Sequence, residues 1–420
     1  MDITPVILAG GHGDRLQPLT KRTPKALLAV ANRPLIALPL GHLERCGFRS
    51  AVVVTVESQA AQLKQFLDEK HGGAILVDLV VVPDDAGTAV ALLAAKPKVR
   101  GDVLVMSVDL ITDVPLQKLA DTHHLRGAAA TVLLKERAAP REGKPPKWEE
   151  ALVLDATKEQ LLYMAAATDC DGHLALRNSL LLAHGHVAIC TTLTDVHCYI
   201  LARWVFDLLE QRLELSNLRY ELLPFLLRHQ YIRTRQPLPE SSHAEALDMN
   251  LSISGQDQPA RHELAIDHTR IHCAVVIEPA AGAFCVRANN VAHFLEANLE
   301  IAKGIALPWL GAADDRGELG GKTGFGQDCM RGQGVESGAQ TTVKRSVVGS
   351  HCRLGSGVRI ANSVVMDHVT LGDKVSLSNC IVCSNAEVHE GATLVNCQVG
   401  DACTVDANAQ LKNAAIAQNE

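Results

Sequence analysis

A glycine-rich segment early in the chain has the residue types that bind phosphate groups. Gly10, Gly11 and Gly13 follow a short apolar run, where glycines let backbone N–H groups approach an anionic ligand closely. Arg15 and Lys25 supply the positive charge that a polyphosphate needs. The segment has neither the G-K-[ST] ending of a Walker loop nor the G-x-G-x-x-G spacing of a dinucleotide loop. The sequence therefore predicts a nucleotide-binding loop of another type.

This loop is predicted to lie at one edge of an α/β sheet. Near-continuous apolar runs suit parallel strands buried on both faces, and helical patterns separate these runs. The strand–helix–strand order predicts right-handed crossovers and a doubly wound sheet. Ligands of such sheets bind beyond the carboxyl ends of the strands, so chemistry is expected just after Leu8 and around Asp109. The runs occupy 6–8, 51–56, 75–82 and 103–106, and the helical patterns occupy 35–46 and 59–69.

Composition indicates two domains and no membrane span. At 420 residues the chain is too long for one compact core. No window approaches the ~18 uncharged apolar residues of a membrane span. No basic region precedes the first apolar run, as a signal peptide would require. The formal charge of −7 argues against a protein that mainly binds nucleic acid.

The 12 cysteines are scattered through apolar stretches, which is typical of reduced cytosolic thiols. Cys380 and Cys383 form one C-x-x-C, but residues three apart in a strand point to opposite faces. We therefore interpret this pair as small buried side chains rather than as zinc ligands.

Three stretches divide the chain further. The charged, proline-containing stretch at 138–150 and the polar stretch at 236–262 predict mobile insertions within a first domain of residues 1–303. The Gly-rich stretch at 304–340 predicts a linker or a degenerate first coil. Residues 341–420 form the second predicted domain.

Aliphatic residues recur at six-residue steps in this second domain. A six-residue period is the signature of the hexapeptide β-helix, in which stacked coils bury aliphatic side chains that one side of a coil cannot bury alone. An antiparallel sheet with glycine turns is the alternative. The period favours a C-terminal left-handed parallel β-helix, in which Cys397 and Cys403 would stack in adjacent rows. The residues in this register are Val348, Leu354 and Ile360, and the pairs Leu371/Leu377, Val388/Leu394 and Val399/Val405.

The extended loop at 10–20, with Thr23-Pro24-Lys25 after it, resembles the signature of sugar-nucleotide pyrophosphorylases. In that family the glycines, the arginine and the lysine of this loop handle a nucleoside triphosphate. Gly87-Thr88-Ala89 is predicted to open a helix and resembles the family's base-contacting turn. Asp109 resembles its magnesium-binding aspartate, and a carboxylate can hold Mg²⁺ against phosphate oxygens. The family also includes members with a hexapeptide β-helix.

The chain departs from that family where the second substrate would bind. Asp14 replaces the loop's usual threonine and places a carboxylate beside the expected triphosphate. Residues 161–166 stand where the enzymes carry Glu-Lys-Pro, so the lysine that would meet a sugar phosphate is absent. Residues 194–199 replace the usual Asn-Ala-Gly-Ile-Tyr. We therefore expect transition-state stabilisation, and with it catalysis, to fail.

Other segments resemble the gamma subunits of eukaryotic translation initiation factor 2B. They lie in both predicted domains, and several are specific to those subunits rather than shared with pyrophosphorylases. The resemblance covers nearly the whole chain except the two insertions and the linker. The segments are 110–114, 160–164, 195–199, 218–224, 284–289, 296–298 and 343–352.

That resemblance implies a regulatory or scaffolding subunit of a guanine-nucleotide exchange complex. The complex exchanges GDP for GTP on translation initiation factor 2, and its gamma subunit pairs with an epsilon subunit whose extra C-terminal domain carries the activity. Because this chain ends at Glu420, soon after the predicted β-helix, we expect a supporting role. Its expected partners in the cytosol are the epsilon subunit and the other subunits of initiation factor 2B. Direct contact with nucleic acid or with a membrane is not expected.

Three alternatives are left open by the sequence. The intact loop would suit a working GDP-mannose or glucose-1-phosphate pyrophosphorylase. The loop could instead hold GTP or GDP, with Mg²⁺, as a sensor without chemistry. Finally, Gly10, Gly11 and Gly13 could be kept only because the turn needs positive φ angles.

Overall fold

The computed structural model describes residues 3–69, 73–137, 150–169, 174–230, 271–304, 307, 324–326 and 328–417. The predicted insertion at 236–262 lies outside these residues. The same holds for 138–149 of the other insertion and for most of the Gly-rich stretch at 304–340. The predicted domain boundaries therefore stay predictions.

A seven-stranded mixed sheet forms the centre of the N-terminal part. Its strands are β1 (Ile3–Leu8), β4 (Ser50–Val56), β5 (Leu76–Val82), β6 (Asp102–Ser107), β8 (Ala130–Glu136), β12 (Leu193–Leu201) and β13 (Cys273–Glu278). Their order is β13-β8-β12-β6-β1-β4-β5, and all are parallel to their neighbours except β12. The four apolar runs correspond to β1, β4, β5 and β6, which confirms the predicted doubly wound sheet.

Shorter strands extend this architecture at three places. They are the hairpin β2 (Ala29–Val30) and β3 (Arg33–Pro34), the pair β7 (Leu110–Thr112) and β14 (Cys285–Arg287), and the three-stranded sheet of β9 (Glu150–Asp155), β10 (Leu161–Ala166) and β11 (Val187–Cys190). The pair β7–β14 is antiparallel and sets Arg287 opposite Leu110, directly beside Asp109.

Helices cover both faces of the large sheet, as the crossovers predict. One face packs against α1 (Ala37–Arg45), α2 (Glu57–Glu69) and α4 (Leu116–Arg126). The other packs against α3 (Thr88–Ala94), α6 (Val205–Gln211) and α7 (Leu223–His229), with a π-helical turn at Leu218–Leu222. The remaining helices are α5 (Asn178–Ala183) and α8 (Val291–Ala302). Within the described ranges no helix has both the length and the apolar character to cross a membrane.

The C-terminal part is a parallel β-helix with three sides, and it agrees with the predicted left-handed form. Each strand pairs with the strand one coil later, so that Val347 lies beside Val364 and Val364 beside Ile381. A coil therefore contains 17 residues (364 − 347). The first side comprises β15 (Met330–Arg331), β18 (Val347–Val348), β21 (Val364–Val365), β24 (Ile381–Val382), β27 (Gln398–Val399) and β30 (Ala415–Ile416). The second side comprises β16 (Glu336–Ser337), β19 (Arg353–Leu354), β22 (Thr370–Leu371), β25 (Glu387–Val388) and β28 (Thr404–Val405), and the third β17 (Thr342–Lys344), β20 (Arg359–Ala361), β23 (Ser376–Ser378), β26 (Thr393–Val395) and β29 (Gln410–Lys412).

A coil of 17 residues also explains why the six-residue period is interrupted. Val348, Leu354 and Ile360 are buried at steps of six, and the next buried residue, Val365, follows after only five (365 − 360). The shorter step repeats once in every coil. The six-residue period therefore predicts the buried positions of three successive sides correctly. It fails at every third corner, where the step is five residues.

The corners of the β-helix require left-handed backbone. One column of corners consists of Arg345, Asn362, Asn379, Asn396 and Asn413, whose φ angles lie between 47° and 53°. Asparagine tolerates this conformation better than most residues because its short polar side chain can bond locally. This column of asparagines at 17-residue spacing is a sequence signal for the coil length.

The cysteines of the β-helix stack differently from the predicted arrangement. Cys397 and Cys403 do not share a row, because neighbouring rows are 17 residues apart rather than six. Cys397 instead stacks on Cys380, and its N–H donates to the Cys380 Sγ at 3.4 Å. Cys380 and Cys383 are both buried on opposite faces of the chain, one inside the coils and one against the N-terminal part. This arrangement agrees with the interpretation of the C-x-x-C as packing residues.

The outer surface of the first side is the contact with the N-terminal part. Four outward residues of this side, Met330, Val347, Val364 and Ile381, are buried in one cluster with α8 and with the loop that follows β1 (the early loop, residues 9–28). Burying a side chain of this size contributes about 1.5–3 kcal/mol. The outward positions of the second side are exposed polar residues: Glu336, Arg353, Thr370, Glu387 and Thr404. The doubled aliphatics Val347-Val348, Val364-Val365 and Ile381-Val382 therefore mark the docked side.

Candidate nucleotide cleft

The glycine-rich loop lies at the carboxyl edge of the sheet, as predicted. Leu8 pairs in parallel with Ser107, so the chain leaves β1 and β6 at the same edge and brings the loop beside Asp109. A 3₁₀ turn at Asp14–Leu16 follows, with Gly13 before it at φ 76°. The Thr20 hydroxyl donates to the Gly13 carbonyl at 2.9 Å and closes the loop.

The structure gives a different account of why glycine stands at each of the three positions of the loop. Gly13 has a positive φ, and a Cβ there would lie 2.7 Å from the Thr20 Cγ2. A Cβ on Gly10 would lie 3.0 Å from the Val56 Cγ1, whereas one on Gly11 would meet nothing within 4 Å. The alternative that the glycines serve only positive φ angles fits Gly13 but neither Gly10 nor Gly11. The backbone around Gly11 is open, as an anion-binding loop requires.

The charged residues of the loop divide into exposed and engaged groups. Asp14 and Arg15 are exposed at the mouth of the cleft. Lys25 points inward, and its Nζ lies 2.6 Å from the Asp109 Oδ2. The structure therefore brings two predicted site residues, Lys25 and Asp109, into direct contact and leaves Arg15 accessible.

A third charged residue, Arg287, completes the surroundings of Asp109. Its Nη2 lies 3.2 Å and its Nε 3.4 Å from the two carboxylate oxygens, and Ser107 donates a further hydrogen bond. The Asp109 side chain has no solvent exposure. Burial alone would raise the pKa of Asp109, but the charges of Arg287 and Lys25 hold it far below its ordinary value. Asp109 is therefore an ionised carboxylate enclosed by two cations.

These surroundings do not fit a magnesium ion. Mg²⁺ binds oxygen at about 2.0–2.1 Å and usually keeps several of its waters. At Asp109 the Lys25 and Arg287 donors already hold Oδ2, and the carboxylate charge is balanced by two positive side chains. The magnesium role of Asp109 stays a prediction that these contacts do not favour.

The predicted base-contacting turn opens a helix as expected, since Gly87 precedes α3. Its polar groups bond within the chain: the Ala89 N–H donates to the Ser216 carbonyl at 2.9 Å, and the Thr88 hydroxyl accepts from the Leu218 N–H at 2.9 Å. A Cβ on Gly87 would lie 2.2 Å from the Ser216 carbonyl oxygen. Gly87 therefore permits this close approach of 216–218, and its role toward a nucleotide stays a prediction.

A second buried ion network includes residues of β12, the strand that contains the departing segment 194–199. Arg219, from the π-helical turn, contacts the Asp195 carboxylate and lies 2.8 Å from the Glu150 Oε1. The Tyr199 hydroxyl donates to the Asp195 Oδ2 at 2.6 Å. Burial opposes the charge of Asp195, and the Arg219 charge and the Tyr199 hydrogen bond lower its pKa. The carboxylate and the guanidinium are satisfied by each other.

His197 lies between the two networks. It adopts φ 57° at an irregularity in the pairing of β12 with β8, where a bulge re-aims the side chain. Burial lowers the pKa of His197 to about 4, although the charge of Asp195 opposes this. Its Nε2 lies 3.4 Å from the Arg219 Nη1. The imidazole is therefore neutral near pH 7, and its Nε2 accepts from the arginine.

The strand β10, which replaces the Glu-Lys-Pro motif, borders a cavity of about 320 Å³. The apolar side chains of Leu162, Met164 and Leu180 contribute to its lining, together with Arg177 and Arg228. β10 contains no lysine, and the loss of a sugar-phosphate site there stays a prediction. The arginines of other elements nevertheless keep positive charge near that place.

Sequence reasoning missed the role of Arg287, Asp195, His197 and Arg219 in these networks. Their segments were noticed only as family resemblances. Arg287 reaches Asp109 through the β7–β14 pairing across 178 residues of sequence. No local period encodes such a pairing, although an arginine in an apolar strand was a usable signal.

Comparisons with known proteins agree with both parts of the structure. The family described as nucleotidyl transferase matches residues 4–142, and the one described as EIF2B subunit epsilon LbH domain matches residues 314–411. The translation initiation factor eIF2B subunit gamma of Dictyostelium discoideum is 29% identical over an alignment of 386 residues that covers 83% of this chain and 88% of that protein. The predicted resemblance to eIF2B gamma subunits is confirmed. The gamma subunit of Schizosaccharomyces pombe is 27% identical over an alignment of 306 residues that covers 71% of this chain and 65% of that protein.

The likeness to pyrophosphorylases is shorter. The mannose-1-phosphate guanyltransferase of Candida albicans is 34% identical over an alignment of 134 residues that covers 30% of this chain and 36% of that enzyme. The eIF2B gamma likeness thus extends over a much larger share of the chain than the enzyme likeness does.

Proposed function

We propose that this chain is a non-catalytic, gamma-type subunit of the eIF2B complex in translation initiation. The observation that carries the proposal is the likeness to an eIF2B gamma subunit over 83% of the chain. In this role the chain binds an epsilon-type subunit in the cytosol and positions it for nucleotide exchange on translation initiation factor 2.

Two buried networks support the non-catalytic part of the proposal. The enzymes of the nucleotidyl transferase fold need a carboxylate that is free to hold a metal and an acceptor site that holds a sugar phosphate. Here Asp109 is enclosed by Lys25 and Arg287, and Asp195 is bound by Arg219. Breaking either network would leave buried charges uncompensated, which costs about 3–5 kcal/mol. Substrate-binding energy that is used to break these networks is no longer available to stabilise the transition state.

The β-helix supports the scaffold part. Two of its three sides are covered by neither α8 nor the early loop, and stacked coils form flat, rigid surfaces of the kind that long interfaces use. Among the described residues, the apolar outer column is confined to the docked side, so the surface left for a partner is mainly polar.

A pull-down from cell extract tests the partner. The full chain should recover a larger subunit that also contains a β-helix, and the recovered complex should accelerate GDP release from initiation factor 2 while the chain alone does not. Recovery of the chain only as a free homo-oligomer would contradict the proposal.

An enzyme assay tests the runner-up, a GDP-mannose or glucose-1-phosphate pyrophosphorylase, which the donor-side likeness favours. The purified chain and its complex are incubated with a nucleoside triphosphate, a sugar 1-phosphate and Mg²⁺. We expect no sugar nucleotide. Turnover that Asp109→Ala abolishes would establish the enzyme.

Calorimetry with GTP and GDP tests whether the cleft binds a nucleotide without chemistry. The open backbone at Gly11 and the exposed Arg15 support such binding. Heat that is lost in Arg15→Ala would support a sensor. The absence of heat at millimolar ligand would leave the scaffold role alone.

A further inference from the structure

The Asp109 carboxylate is the residue of this cleft that the sequence predicts to hold a metal, yet protein cations surround it. Lys25 comes from the 3₁₀ turn at Lys25–Leu27, Asp109 follows β6, and Arg287 ends β14. Three distant segments are thus joined at one carboxylate. Backbone pairing, as well as the side-chain contacts, holds these segments together.

Backbone hydrogen bonds hold Arg287 in place. The strand pairing sets Arg287 opposite Leu110, and the Ala288 N–H donates to the Asp109 carbonyl at 2.9 Å. The guanidinium therefore lies beside the carboxylate whenever β7 and β14 are paired. Its side chain is 19% exposed and that of Lys25 is 12% exposed, so bulk water screens the trio only weakly.

The charges of the trio decide which cations it accepts. Lys25 and Arg287 together carry two positive charges against the single negative charge of Asp109. A divalent cation at the carboxylate would face two like charges a few ångströms away, in a partly buried setting where repulsion is stronger than in water. A carboxylate without such neighbours would be an ordinary ligand for Mg²⁺ or Mn²⁺.

We propose that Arg287 occupies the position of a divalent cation at Asp109, so that the cleft takes up no metal ion until this arginine is removed. The guanidinium acts as a resident cation that closes the metal site and ties β14 to the carboxyl edge of the sheet. Any anion that enters the cleft then meets Lys25 and Arg287 directly and needs no metal to bridge it.

Manganese binding tests this proposal, with the EPR signal of free Mn²⁺ as the readout and the full chain as the sample. In wild type, Asp109→Asn should leave the bound Mn²⁺ unchanged. Arg287→Gln should gain one Mn²⁺ site per chain. The dissociation constant of Mn²⁺ at Asp109 should be at least about tenfold lower in this variant than in wild type. The double variant Asp109→Asn/Arg287→Gln should lose that site again, and Arg287→Lys, which keeps the charge, should resemble wild type.

Arg126→Gln is the matched control. It also removes an arginine from an ion pair, with Glu159, but α4 ends there just before β8 begins, at the opposite edge of the sheet. This variant should gain no manganese site.

Two results would overturn the proposal. One is a stoichiometric Mn²⁺ site in wild type that Asp109→Asn removes, a comparison that decides even if Arg287→Gln fails to fold. The other is a folded Arg287→Gln chain, checked by circular dichroism, that binds no more Mn²⁺ than wild type. This inference rests on the proposed non-catalytic function, but the two can fail separately. A metal site at Asp109 in wild type without sugar-nucleotide synthesis would refute the inference and leave the subunit role intact.

Discussion

His197 connects the two buried networks of the cleft, and its environment favours the neutral imidazole. The side chain is 25% exposed; the charges of Arg287 and Arg219 lower its pKa, and those of Asp195 and Asp109 raise it. Burial is the largest influence and lowers the pKa of His197 from 6.5 to about 4. A proton added there must be accommodated beside two fixed guanidinium groups. The networks are therefore sensitive to acid at this residue before their carboxylates titrate.

We expect the stability of the chain to fall as the pH drops from 6.5 to about 4, with part of that loss due to His197. In this window the unfolded histidine binds a proton and the folded one does not, so acid favours unfolding. The contribution is at most about 3 kcal/mol. His197→Asn, which tolerates the positive φ, should flatten the pH dependence of urea unfolding relative to wild type.

The exposed His389→Asn serves as the control for that experiment. It should leave the pH dependence unchanged. Equal slopes for wild type and His197→Asn would show that His197 is not held neutral. The slopes are compared between pH 6.5 and about 5, because below about pH 5 the unfolded chain also begins to protonate Asp109 and Asp195, whose pKa values are lowered in the folded state.

At the scale of elements, the periodicity of apolar residues predicted those strands and coils whose pattern lies within a short stretch of sequence. The strands β1, β4, β5 and β6 were predictable because each is an apolar run that begins and ends within a few residues. The six-residue steps predicted the β-helix, but not the five-residue step at every third corner, because only the three-dimensional closure of the coil requires it. The pairing of β14 with β7 was not predictable, since the two segments are separated by more than 170 residues (285 − 112). The sequence of either strand does not indicate which strand it pairs with.

The same division holds for the cleft. Its donor half, from Gly10 to Lys25 with Asp109, was readable because one continuous string and one strand end carry it. Arg287 and Arg219, which contact Asp109 and Asp195, come from the C-terminal half of the first part through packing. The sequence therefore predicted a carboxylate for a metal, whereas the fold supplies that carboxylate with cations of its own.

The asparagine column at the corners offers a test of the coil. Asn379 is exposed with φ 53°, and valine at that position would clash with its own backbone. We expect Asn379→Val to lower the free energy of unfolding of the β-helix by about 1–2 kcal/mol. Asn379→Gly, which keeps the same conformation available, should remain closer to wild type. Thermal melts followed by circular dichroism measure both, and equal losses would mean that the corner tolerates other backbone conformations.

At the scale of the whole molecule, the early loop and the β-helix share one core. Leu16 and Leu19 of the loop are buried with α8 and with Val347 and Val364 of the first side. Polar contacts accompany this packing: the Asn32 Nδ2 donates to the Val348 carbonyl at 3.0 Å, and the Asn298 Oδ1 accepts from the Ala31 N–H at 2.8 Å. The apolar residues of the loop therefore have a reason to be kept that does not depend on phosphate. In the proposed subunit role, this shared core holds the β-helix and the early loop together as one unit.

Val364→Asp should uncouple the two parts. Val364 is 2% exposed in the shared core, where an unpaired carboxylate costs several kcal/mol unless the surfaces separate. In a background with Trp148 and Trp309 replaced by phenylalanine, the fluorescence of Trp204 follows the N-terminal part alone, because this residue directly precedes α6. Urea unfolding monitored by this fluorescence and by circular dichroism at a β-sheet wavelength should coincide in the parent and separate in Val364→Asp. Ser376→Asp adds the same charge to the outward face of the third side, beside Arg359, and should keep the transitions together. If Val364→Asp also unfolds in one step, the shared core does not couple the two parts, and the β-helix cannot act on the cleft through it.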